Sequence, residues 1–458
     1  MFKIDRNTHV LVYGIGKSGT AAVNYLLKYR AKVVITDDKP FYELRYTLEK
    51  LLELGAKFQP PSEIGFSITK FDFILVSPGI SIKEKPLLKF AKECHIPIIN
   101  DIELAYNQMS GKWIAITGTN GKTTTTTLIG DILQKYFRRV IVAGNIGTPI
   151  CQLIDTFTPY NYIVVELSSY QLELIEKFTP KIAIILNISP DHMERYETLE
   201  DYANAKKRIF KNQTEEDFLI LNYDDPIVRK FILEAKSKVL YFSTQTIVQE
   251  GAYIKNHRLY IRVGGKEKEI INTKEIPLIG EHNLSNVMAA TLAAYLTEMP
   301  VETIKIMIKN FQSLTHRLEK IGTFKGVEIY NDSKATNIDA VIKAIKSFKK
   351  PIVLIAGGKD KGGSYEPLIP YLEKQVKFIS LFGKDVQRFR NAIKNLPHKV
   401  FTNLKDAVIE AWSKCEPGDI LLFSPGGSSY DLYSNFEERG EDFKQIIQNL
   451  ILKHEKTK

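Results

Sequence analysis

KWIAITGTNGKTT, residues 112–124, is the stretch that decides the fold of this 458-residue chain. Its first half is a continuous apolar run of strand length, and its second half is a glycine-containing turn that leads into a helix. Backbone amides in such a turn wrap phosphate oxygens, Lys122 can reach the terminal phosphates, and the Thr123 hydroxyl can bind Mg²⁺. The stretch therefore predicts an α/β fold with an ATP site at the carboxyl end of this strand, and it makes Lys122 a candidate catalytic residue.

The turn departs from a strict Walker A sequence. The pattern GxxxxGK[ST] requires a glycine at the position of Ile116, so the loop here is shorter. Threonines occupy positions 123–127 at the start of the helix, although threonine is a poor helix former. A GKT turn between a strand and a helix still favours phosphate binding. The predicted ATP contacts in the turn are Gly118, Thr119, Asn120, Gly121, Lys122, Thr123, Thr124 and Thr125.

Apolar runs of strand length recur on both sides of this stretch and alternate with helix-like segments. Such β-branched runs, separated by helices, indicate parallel sheets covered on both faces. Before residue 110 the runs are HVLVYG (9–14), KVVIT (32–36) and FDFILVS (71–77). The central runs are KWIAITG, RVIVAGN, YIVVELS and KIAIILNIS, and the last runs are GVEIYND, PIVLIAGG, VKFISLFG and DILLFSPGG.

The three groups of runs predict three α/β domains. The turn NQMSGK (107–112) and the stretch NFQSLTHR (310–317) separate the groups. We expect a Rossmann-like N-terminal domain at residues 1–110, a central P-loop ATPase-like mononucleotide-binding domain at 111–313, and a C-terminal Rossmann-like α/β domain at 314–458.

A second glycine-rich turn, GIGKSG, follows the first apolar run. Gly14, Gly16 and Gly19 form a GxGxxG pattern, and Asp37 closes the next run, where a dinucleotide-binding fold places an acid that binds ribose. Taken alone, this pattern indicates NAD. The same turn also cradles other nucleotide phosphates, and a tight strand–helix turn needs no ligand at all. All three interpretations remain open from these residues.

Two residues near the central turn are candidate metal ligands. Glu166 ends the run YIVVE, and His192 follows the run IAIILNIS, so both should emerge at the same sheet edge as Thr123. Oxygen ligands with one imidazole suit Mg²⁺ or Mn²⁺ better than structural zinc. Read singly, Glu166 could be a capping acid and His192 an ordinary loop histidine, but their shared edge favours a metal site.

Composition narrows the class of protein. The first residues contain no apolar segment of a secretory signal, and the longest apolar runs have strand length, so we expect a cytoplasmic protein without membrane insertion. The three cysteines are too far apart in sequence for a CxxC metal pair or a disulfide framework. The formal charge of +10 could indicate a nucleic-acid partner. Because the basic residues are scattered, we favour a lysine-rich surface and no nucleic acid.

Nine motifs occur in a fixed order along the chain: TGTNGKTT, AGNIG, ELSSYQLE, NISPDHMERY, NAKKRIF, GEHNLSNVMAA, HRLE, YNDSKATN and SPGGSSYDLYSNFEERG. Over essentially the whole chain they resemble the Mur ligase family, which uses ATP to add amino acids to UDP-linked cell-wall precursors. DHMERY and NDSKATN are similar to the corresponding motifs of the family members that add D-glutamate to UDP-N-acetylmuramoyl-L-alanine. SPGGSS departs from the commoner SPACAS but keeps Ser429.

The resemblance implies a set of site residues. Lys206 matches the lysine that is carbamylated in members of the family. The implied catalytic residues are Lys122, His192 and Lys206. The implied metal ligands are Thr123, Glu166, His192 and Lys206. Further ATP contacts are Asn283, Arg317 and Asp332. The implied UDP-sugar contacts are Lys17, Ser18, Asp37, Asp38, Ser77 and Asn145. The implied D-glutamate contacts are Lys334, Thr336, Lys361, Ser429 and Phe436.

The resemblance also implies the reaction. A carboxylate of the UDP-sugar attacks the ATP γ-phosphate, and the D-glutamate amine then displaces phosphate from the acyl phosphate. Two Mg²⁺ ions, for which Mn²⁺ can substitute, and a monomeric state are implied too. The alternatives are another Mur-type or folylpolyglutamate-type ligase, an NAD-dependent oxidoreductase, and a P-loop protein that acts on nucleic acid.

Overall fold

The computed structural model of the protein describes residues 3–156, 159–312 and 314–456. Within these ranges the chain forms three separate β-sheets with flanking helices. The fold class predicted from the sequence, three α/β domains with mainly parallel sheets, is confirmed. Short 3₁₀ helices lie at Gly65–Lys70, Ile82–Glu84, Ile150–Gln152, Arg208–Phe210, Val228–Glu234, Thr273–Glu275 and Glu366–Leu368.

The first sheet has five strands in the order β3-β2-β1-β4-β5, and every described pairing is parallel. Its strands are β1 (His9–Tyr13), β2 (Lys32–Thr36), β3 (Lys57–Phe58), β4 (Phe73–Val76) and β5 (Ile98–Ile99). Its helices are α1 (Lys17–Lys28), α2 (Phe41–Glu53), α3 (Pro61–Ile64), α4 (Pro86–Glu93) and α5 (Asp101–Gln108). The strand order reverses at β1, which is the point where ligands bind in open parallel sheets.

The second sheet has nine strands in the order β14-β13-β12-β11-β10-β9-β6-β8-β7. The strands are β6 (Lys112–Thr117), β7 (Val140–Gly144), β8 (Tyr162–Glu166), β9 (Ile182–Ile185), β10 (Phe218–Asn222), β11 (Lys238–Ser243), β12 (Gly251–Lys255), β13 (Arg258–Val263) and β14 (Lys266–Asn272). The helices are α6 (Lys122–Gln134), α7 (Ser169–Leu172), α8 (Leu199–Lys207), α9 (Glu281–Tyr295) and α10 (Val301–Asn310). β12, β13 and β14 pair antiparallel, and the other pairings are parallel.

The third sheet has six strands in the order β15-β16-β20-β17-β18-β19. The strands are β15 (Glu319–Phe324), β16 (Val327–Asn331), β17 (Ile352–Gly357), β18 (Val376–Phe382), β19 (His398–Phe401) and β20 (Ile420–Gly426). The helices are α11 (Ile338–Lys346), α12 (Ile369–Gln375), α13 (Gln387–Ala392), α14 (Leu404–Ser413) and α15 (Phe436–Lys456). Only the edge strand β15 runs antiparallel to its neighbour among the described pairings.

Helix α6 forms in spite of its threonines because most of its surface is packed against other elements. Thr124, Thr125 and Thr126 are buried, and α6 packs against the alanine-rich α9 and against β8. Tertiary packing of this kind outweighs a propensity deficit of a few tenths of a kcal/mol per residue. The packing holds the first turn of α6 at the carboxyl end of β6, between the ends of β8 and β9.

Two predictions from the sequence concern the chain as a whole: the absence of membrane insertion and the domain boundaries. In the described part of the chain, no helix combines the length and the apolar character needed to cross a bilayer. The boundaries near residues 110 and 313 stay predictions, and Ser313 itself lies outside the described residues.

Candidate active site

The central turn after β6 is held by the loop that follows β9 and packs against helix α9. The Thr119 amide donates to the Asn187 carbonyl at 2.9 Å, and Asn187 exchanges hydrogen bonds with the Asn120 backbone at 2.9 and 3.0 Å. Gly121 has φ of 87°, and a Cβ there would lie 2.1 Å from the Asn286 side chain. The turn therefore needs glycine at this position, and its shape is fixed before any ligand binds.

Two lysines converge on one carbonyl of this turn. Lys122 Nζ donates to Gly118 O at 2.8 Å and to Thr119 O at 2.7 Å, and Lys206 Nζ donates to Gly118 O at 2.9 Å. Burial lowers the pKa of Lys122, and burial together with the charge of Lys122 holds the pKa of Lys206 well below its usual range. A lowered pKa increases the neutral share of a lysine amine, and the neutral amine is the form that reacts with CO₂.

Glu166 ends β8 beside this turn and is 3% exposed. Its Oε1 accepts a hydrogen bond from Asn145 Nδ2 at 3.0 Å, whereas Oε2 is buried and has no hydrogen-bond partner among the described residues. A buried carboxylate oxygen without a partner is costly, and a bound cation would remove that cost. The described residues contain no group of three or more His, Cys, Asp or Glu side chains that could hold a metal ion alone. A cation here would need hydroxyl and phosphate oxygens as further ligands, which suits Mg²⁺.

His192 lies in the loop after β9 with φ of 56°. Its Nδ1 is 2.9 Å from the Tyr170 hydroxyl and 3.2 Å from Glu194 Oε1, while Nε2 is 3.8 Å from Asp191 Oδ2. These contacts orient the imidazole ring from three sides. They place His192 in the wall of a cavity between the central and C-terminal domains.

The C-terminal domain brings two cations to the hydroxyl of Thr123. Arg317 Nη2 donates to Thr123 Oγ1 at 2.8 Å, and Lys334 Nζ lies 3.3 Å from the same oxygen. Burial, with the charge of Arg317, lowers the pKa of Lys334 to about 7, and burial also lowers the pKa of Arg317. With Lys122 these side chains concentrate positive charge beside Glu166, so the site is electrostatically prepared for a polyphosphate.

A cavity of about 60 Å³ continues from the central turn between the two domains. It is lined by Asn283, Arg317 and Asp332, three predicted ATP contacts, and also by Lys334. Burial raises the pKa of Asp332 to about 7, although its carboxylate accepts hydrogen bonds from Ser424 Oγ and from the Leu318 amide. A larger cavity of about 340 Å³ adjoins this one and shares Asn120, Gly121, His282, Asn286 and Lys343 with it.

A cavity of about 840 Å³ lies between the His192 loop of the central domain and the C-terminal domain. Four of the predicted D-glutamate contacts line it, together with His192 and Tyr170: Thr336, Lys361, Ser429 and Phe436. Lys334, the fifth, lines the 60 Å³ cavity instead, and its Nζ lies 4.7 Å from the centre of the Phe436 ring. The structure therefore places Lys334 between the two cavities.

Asp191 is a residue of this cleft to which the sequence analysis assigned no role. Its Oδ1 is 3.4 Å from Lys361 Nζ, and its Oδ2 accepts from Asn337 Nδ2 at 3.3 Å. Burial alone would raise the pKa of Asp191, but the charges of Lys361 and Lys122 outweigh burial and lower it. Its position next to His192 in SPDHMERY was the available signal. Tyr170, Asn286 and His282 also belong to quoted motifs without an assigned role.

The predicted UDP-sugar residues divide into two places. Lys17 and Ser18 begin α1. Three other predicted UDP-sugar residues lie around the first glycine-rich turn: Asp37, Asp38 and Ser77. Asp37 Oδ2 accepts from the Ile15 amide at 3.0 Å, and Ser77 Oγ donates to Gly14 O at 2.8 Å. Asn145 is not at this turn, since its side chain contacts Glu166 near the other one.

The glycines of the first turn serve close packing. A Cβ on Gly19 would lie 1.9 Å from Gly14 O, and Gly14 has φ of 89°. α1 can therefore approach β1 only with glycine at both positions. The amide end of α1 remains open, because Gly16 and Lys17 are exposed.

Comparisons with known proteins cover nearly the whole chain. The family described as Mur ligase MurD-like, N-terminal domain, matches residues 8–100, the Mur ligase middle domain matches 116–294, and the Mur ligase, glutamate ligase domain, matches 316–427. The chain is 41% identical over 450 residues to the UDP-N-acetylmuramoylalanine--D-glutamate ligase of Caldanaerobacter subterraneus subsp. tengcongensis, covering 97% of this chain and 99% of that protein. It is 40% identical to the protein of the same name from Thermoanaerobacter sp. strain X514, covering 96% and 98%.

Solved structures agree at the level of the fold. The chain is similar to the MurF ligase from Thermotoga maritima in complex with ADP, with a TM-score of 0.60, 17% identity, and coverage of 91% of this chain and 95% of that one. It is also similar to MurF from Acinetobacter baumannii, with a TM-score of 0.62, 14% identity, and coverage of 98% and 91%.

Proposed function

This chain belongs to the Mur ligase family, and from that premise we propose that it is an ATP-dependent ligase that joins D-glutamate to UDP-N-acetylmuramoyl-L-alanine in the synthesis of peptidoglycan precursors. The resemblance found in the sequence is thereby confirmed. Membership of a ligase family favours ligation over the oxidoreductase and nucleic-acid alternatives. The relatives named as D-glutamate ligases support D-glutamate as the added amino acid.

The observation that carries the proposal is the arrangement around Thr123. Its hydroxyl faces Arg317 and Lys334 across the domain interface, at the mouth of the turn that holds Lys122. Arg317 and Lys334 line the 60 Å³ cavity, and Lys334 Nζ also lies 4.7 Å from the ring of Phe436, which lines the 840 Å³ cavity. A γ-phosphate at Thr123 would therefore lie between ATP and the acceptor, as phosphoryl transfer to a carboxylate requires.

The proposed reaction has two steps. First, the carboxylate of the L-alanyl group forms a bond to the γ-phosphorus of ATP, and the bond to the β,γ-bridging oxygen breaks, giving an acyl phosphate and ADP. Second, the amine of D-glutamate attacks the acyl carbon, and phosphate leaves as the amide forms and a proton is released. Lys122 and Arg317 stabilise the negative charge that spreads over the phosphoryl oxygens in the first step.

Mg²⁺ fits the donors of this site. The Thr123 hydroxyl and Glu166 Oε2 would hold one ion, and a carbamate on Lys206, with His192, would help to hold a second; Mn²⁺ can replace Mg²⁺. The ions would supply charge neutralisation on the phosphate oxygens. The carbamate forms when the neutral amine of Lys206 attacks CO₂ and loses a proton, and the burial of this amine favours that reaction.

The amino-acid site is assigned to the 840 Å³ cavity. Lys361 offers a positive charge for a carboxylate, Ser429 offers a hydroxyl, and Thr336 and Phe436 complete the wall. Asn283, Asp332 and Arg317 are assigned to ATP. The UDP group is assigned to the open amide end of α1, where Lys17, Ser18 and Asp37 are available, with Asp38 and Ser77 nearby.

We retain three domains with boundaries at 1–110, 111–313 and 314–458, and we propose a cytoplasmic monomer. The partners proposed are the UDP-sugar, D-glutamate and ATP, without a nucleic-acid partner. Three free cysteines, at Cys94, Cys151 and Cys415, fit a reducing compartment.

Phosphate release by the purified protein tests the proposal. The assay contains ATP, Mg²⁺ and UDP-N-acetylmuramoyl-L-alanine, with D-glutamate, L-glutamate, L-alanine or no amino acid. We expect phosphate and amide to form in equal amounts with D-glutamate and at background level in the other three reactions. Preferred turnover of another amino acid, or ATP hydrolysis that does not depend on the UDP-sugar, would contradict it.

A further inference from the structure

One carboxylate of the C-terminal domain accepts hydrogen bonds from the phosphate-binding turn of the central domain and from the loop that supports it. Asp339, in the first turn of α11, accepts through Oδ2 from Asn120 Nδ2 at 2.7 Å and from Ser189 Oγ at 3.1 Å. The same oxygen contacts Lys343 Nζ at 2.6 Å, one helical turn further along α11. Asn120 belongs to the turn itself, and Ser189 belongs to the loop after β9 that supports it.

The two partners of Asp339 are coupled to each other through Thr119. The Ser189 amide donates to Thr119 Oγ1 at 3.0 Å, and Thr119 precedes Asn120 in the turn. The side chain of Asp339 therefore contacts a unit that already has one fixed shape. A small movement of α11 away from this unit would break both hydrogen bonds at once, since hydrogen bonds weaken steeply with distance and angle.

A second contact crosses the interface beside the first. Asn337 caps α11 by accepting from the Ala340 amide at 2.9 Å, and its Nδ2 reaches Asp191 of the central domain. Asp191 in turn contacts Lys361 of the C-terminal domain. The first turn of α11 thus meets the central domain through two side chains, and the 840 Å³ cavity has walls from the same two domains.

An ordinary explanation for Asp339 is that an acid in the first turn of a helix stabilises the helix dipole. That explanation accounts for its position and for the ion pair with Lys343. It does not account for the direction of the carboxylate, because two of its three partners lie in another domain. Asp406 offers a comparison, since it also lies in the first turn of a helix, α14, and its described hydrogen bonds are to Asn403 of the same helix end.

We propose that Asp339 is a positioning residue that holds the C-terminal domain closed on the phosphate-binding turn and thereby builds the amino-acid cavity. The inference rests on the proposed function for the identity of the two ligands. Asp339 contacts side chains of the turn, so its loss leaves the phosphate-binding amides in place. Both the cavity assigned to ATP and the amino-acid cavity have walls from both domains, but ATP keeps the amides and Lys122 of the turn. The larger effect should therefore fall on the amino acid, whose cavity has His192 and Tyr170 on one side and Lys361 and Ser429 on the other.

Two measurements on Asp339→Ala test the proposal, with Asp406→Ala as the matched control. Small-angle X-ray scattering of the full chain with a non-hydrolysable ATP analogue should give a larger radius of gyration for Asp339→Ala than for the wild type. The phosphate-release assay should show a KM for D-glutamate at least ten-fold higher, with a smaller rise in the KM for ATP. Asp406→Ala should match the wild type in both. Asp339→Asn, which keeps an oxygen acceptor for Asn120 or Ser189, should lie between wild type and Asp339→Ala.

The outcomes separate this proposal from the proposed function. A wild-type protein that does not ligate D-glutamate contradicts the function, whereas the scattering comparison needs no amino acid and still tests the closed interface. Wild-type scattering for Asp339→Ala overturns the positioning role, and so does an unchanged KM for D-glutamate in a protein whose wild type is active. If Asp339→Ala does not fold, Asp339→Asn carries the same test, and wild-type values for both measurements in that variant overturn the proposal.

Discussion

Two glycine-rich turns of this protein have the same local design and different surroundings. Each follows a parallel strand and opens a helix, at Gly14–Gly19 in the N-terminal domain and at Gly118–Thr124 in the central domain. At the first turn the helix begins with exposed residues, and Asp37 binds the backbone of the turn itself. At the second turn Lys122 and Lys206 meet at one carbonyl, and Arg317 reaches in from another domain.

This difference shows that the backbone shape of a turn does not by itself distinguish a turn that only binds a ligand from one that takes part in catalysis. Helix amides attract phosphate at either turn. Only at the second are several cations desolvated around a buried carboxylate, Glu166, whose Oε2 has no partner in the described part of the chain. Interactions in such a dry site act more strongly on developing charge than interactions at an exposed turn. We therefore assign ligand binding to the first turn and phosphoryl transfer to the second.

The largest expected difference between the two turns should appear when one lysine is removed from each. Lys122→Ala should lower kcat for ligation at least ~100-fold, because it removes a preorganised charge from the reacting phosphate. Lys17→Ala, the matched variant at the first turn, should weaken UDP-sugar binding by about 1 kcal/mol or less, the range for an exposed charge. Steady-state kinetics with circular dichroism as a folding control would measure both. Equal losses in the two variants would contradict the division of roles.

The second test concerns the buried amine at the second turn. Lys206→Ala should lower turnover by about 100-fold or more, because a carbamate that helps to hold a cation is lost. Acetate or another small carboxylate should restore part of the activity, while Lys207→Ala, one residue along α8, should stay within a few-fold of wild type. Mass spectrometry under CO₂ would detect the carbamate. Full activity of Lys206→Ala would show that the amine has no such role.

The third test addresses the acid of the first turn. Asp37→Ala should weaken UDP-N-acetylmuramoyl-L-alanine by about 1–3 kcal/mol, the cost of leaving a polar partner unpaired. Affinity for ATP should change little, because ATP is assigned to the other turn. Isothermal titration calorimetry with each ligand measures both values. A loss of ATP affinity as large as the loss for the UDP-sugar would mean that the turns do not act separately.

The fourth test concerns protein stability rather than ligation, as a pH dependence of unfolding set near the second turn. Burial raises the pKa of Asp332 from 3.8 to about 7, so between these values the folded protein binds a proton that the unfolded chain has released. This contribution to stability is therefore complete below pH 4 and is lost as the pH rises through 7, at up to about 1.4 kcal/mol per pH unit. Asp332→Asn should remove that slope in urea unfolding measured from pH 5 to 8. A wild type and a variant with parallel pH profiles would contradict the shift.

Much of the fold and of the second turn could be predicted from the sequence because the residues involved are close together along the chain. The β6 strand, its turn and α6 are contiguous, and the alternation of apolar runs with helices indicates parallel sheets. The antiparallel edge strand β15 was not predicted, since its residues, EKIGTF, are mostly half-buried and form no apolar run. Edge strands of this kind are fixed by their neighbour rather than by their own pattern.

The interface between domains was the part that sequence could not supply. Asn120 and Asp339 are separated by 219 positions, and no local signal pairs them. The resemblance implies that Asn145 contacts the UDP-sugar, and the structure adds that its side chain donates to Glu166, which the sequence did not indicate. Lys334 was grouped with the amino-acid residues, and the structure places it between the 840 Å³ cavity and the 60 Å³ cavity. These relations depend on how domains meet, which a pattern within one segment does not encode.

The division of roles between the two turns is tested most directly by titrating the wild-type protein with four ligands by calorimetry: UDP-N-acetylmuramoyl-L-alanine, a non-hydrolysable ATP analogue, NAD and NADP. The GxGxxG pattern of the first turn indicates a dinucleotide, whereas its assignment to the UDP-sugar excludes one. We predict that the UDP-sugar and the ATP analogue bind at separate sites, each with one molecule per chain, and that neither dinucleotide binds at millimolar concentration. Micromolar binding of NAD that the UDP-sugar displaces would contradict the account.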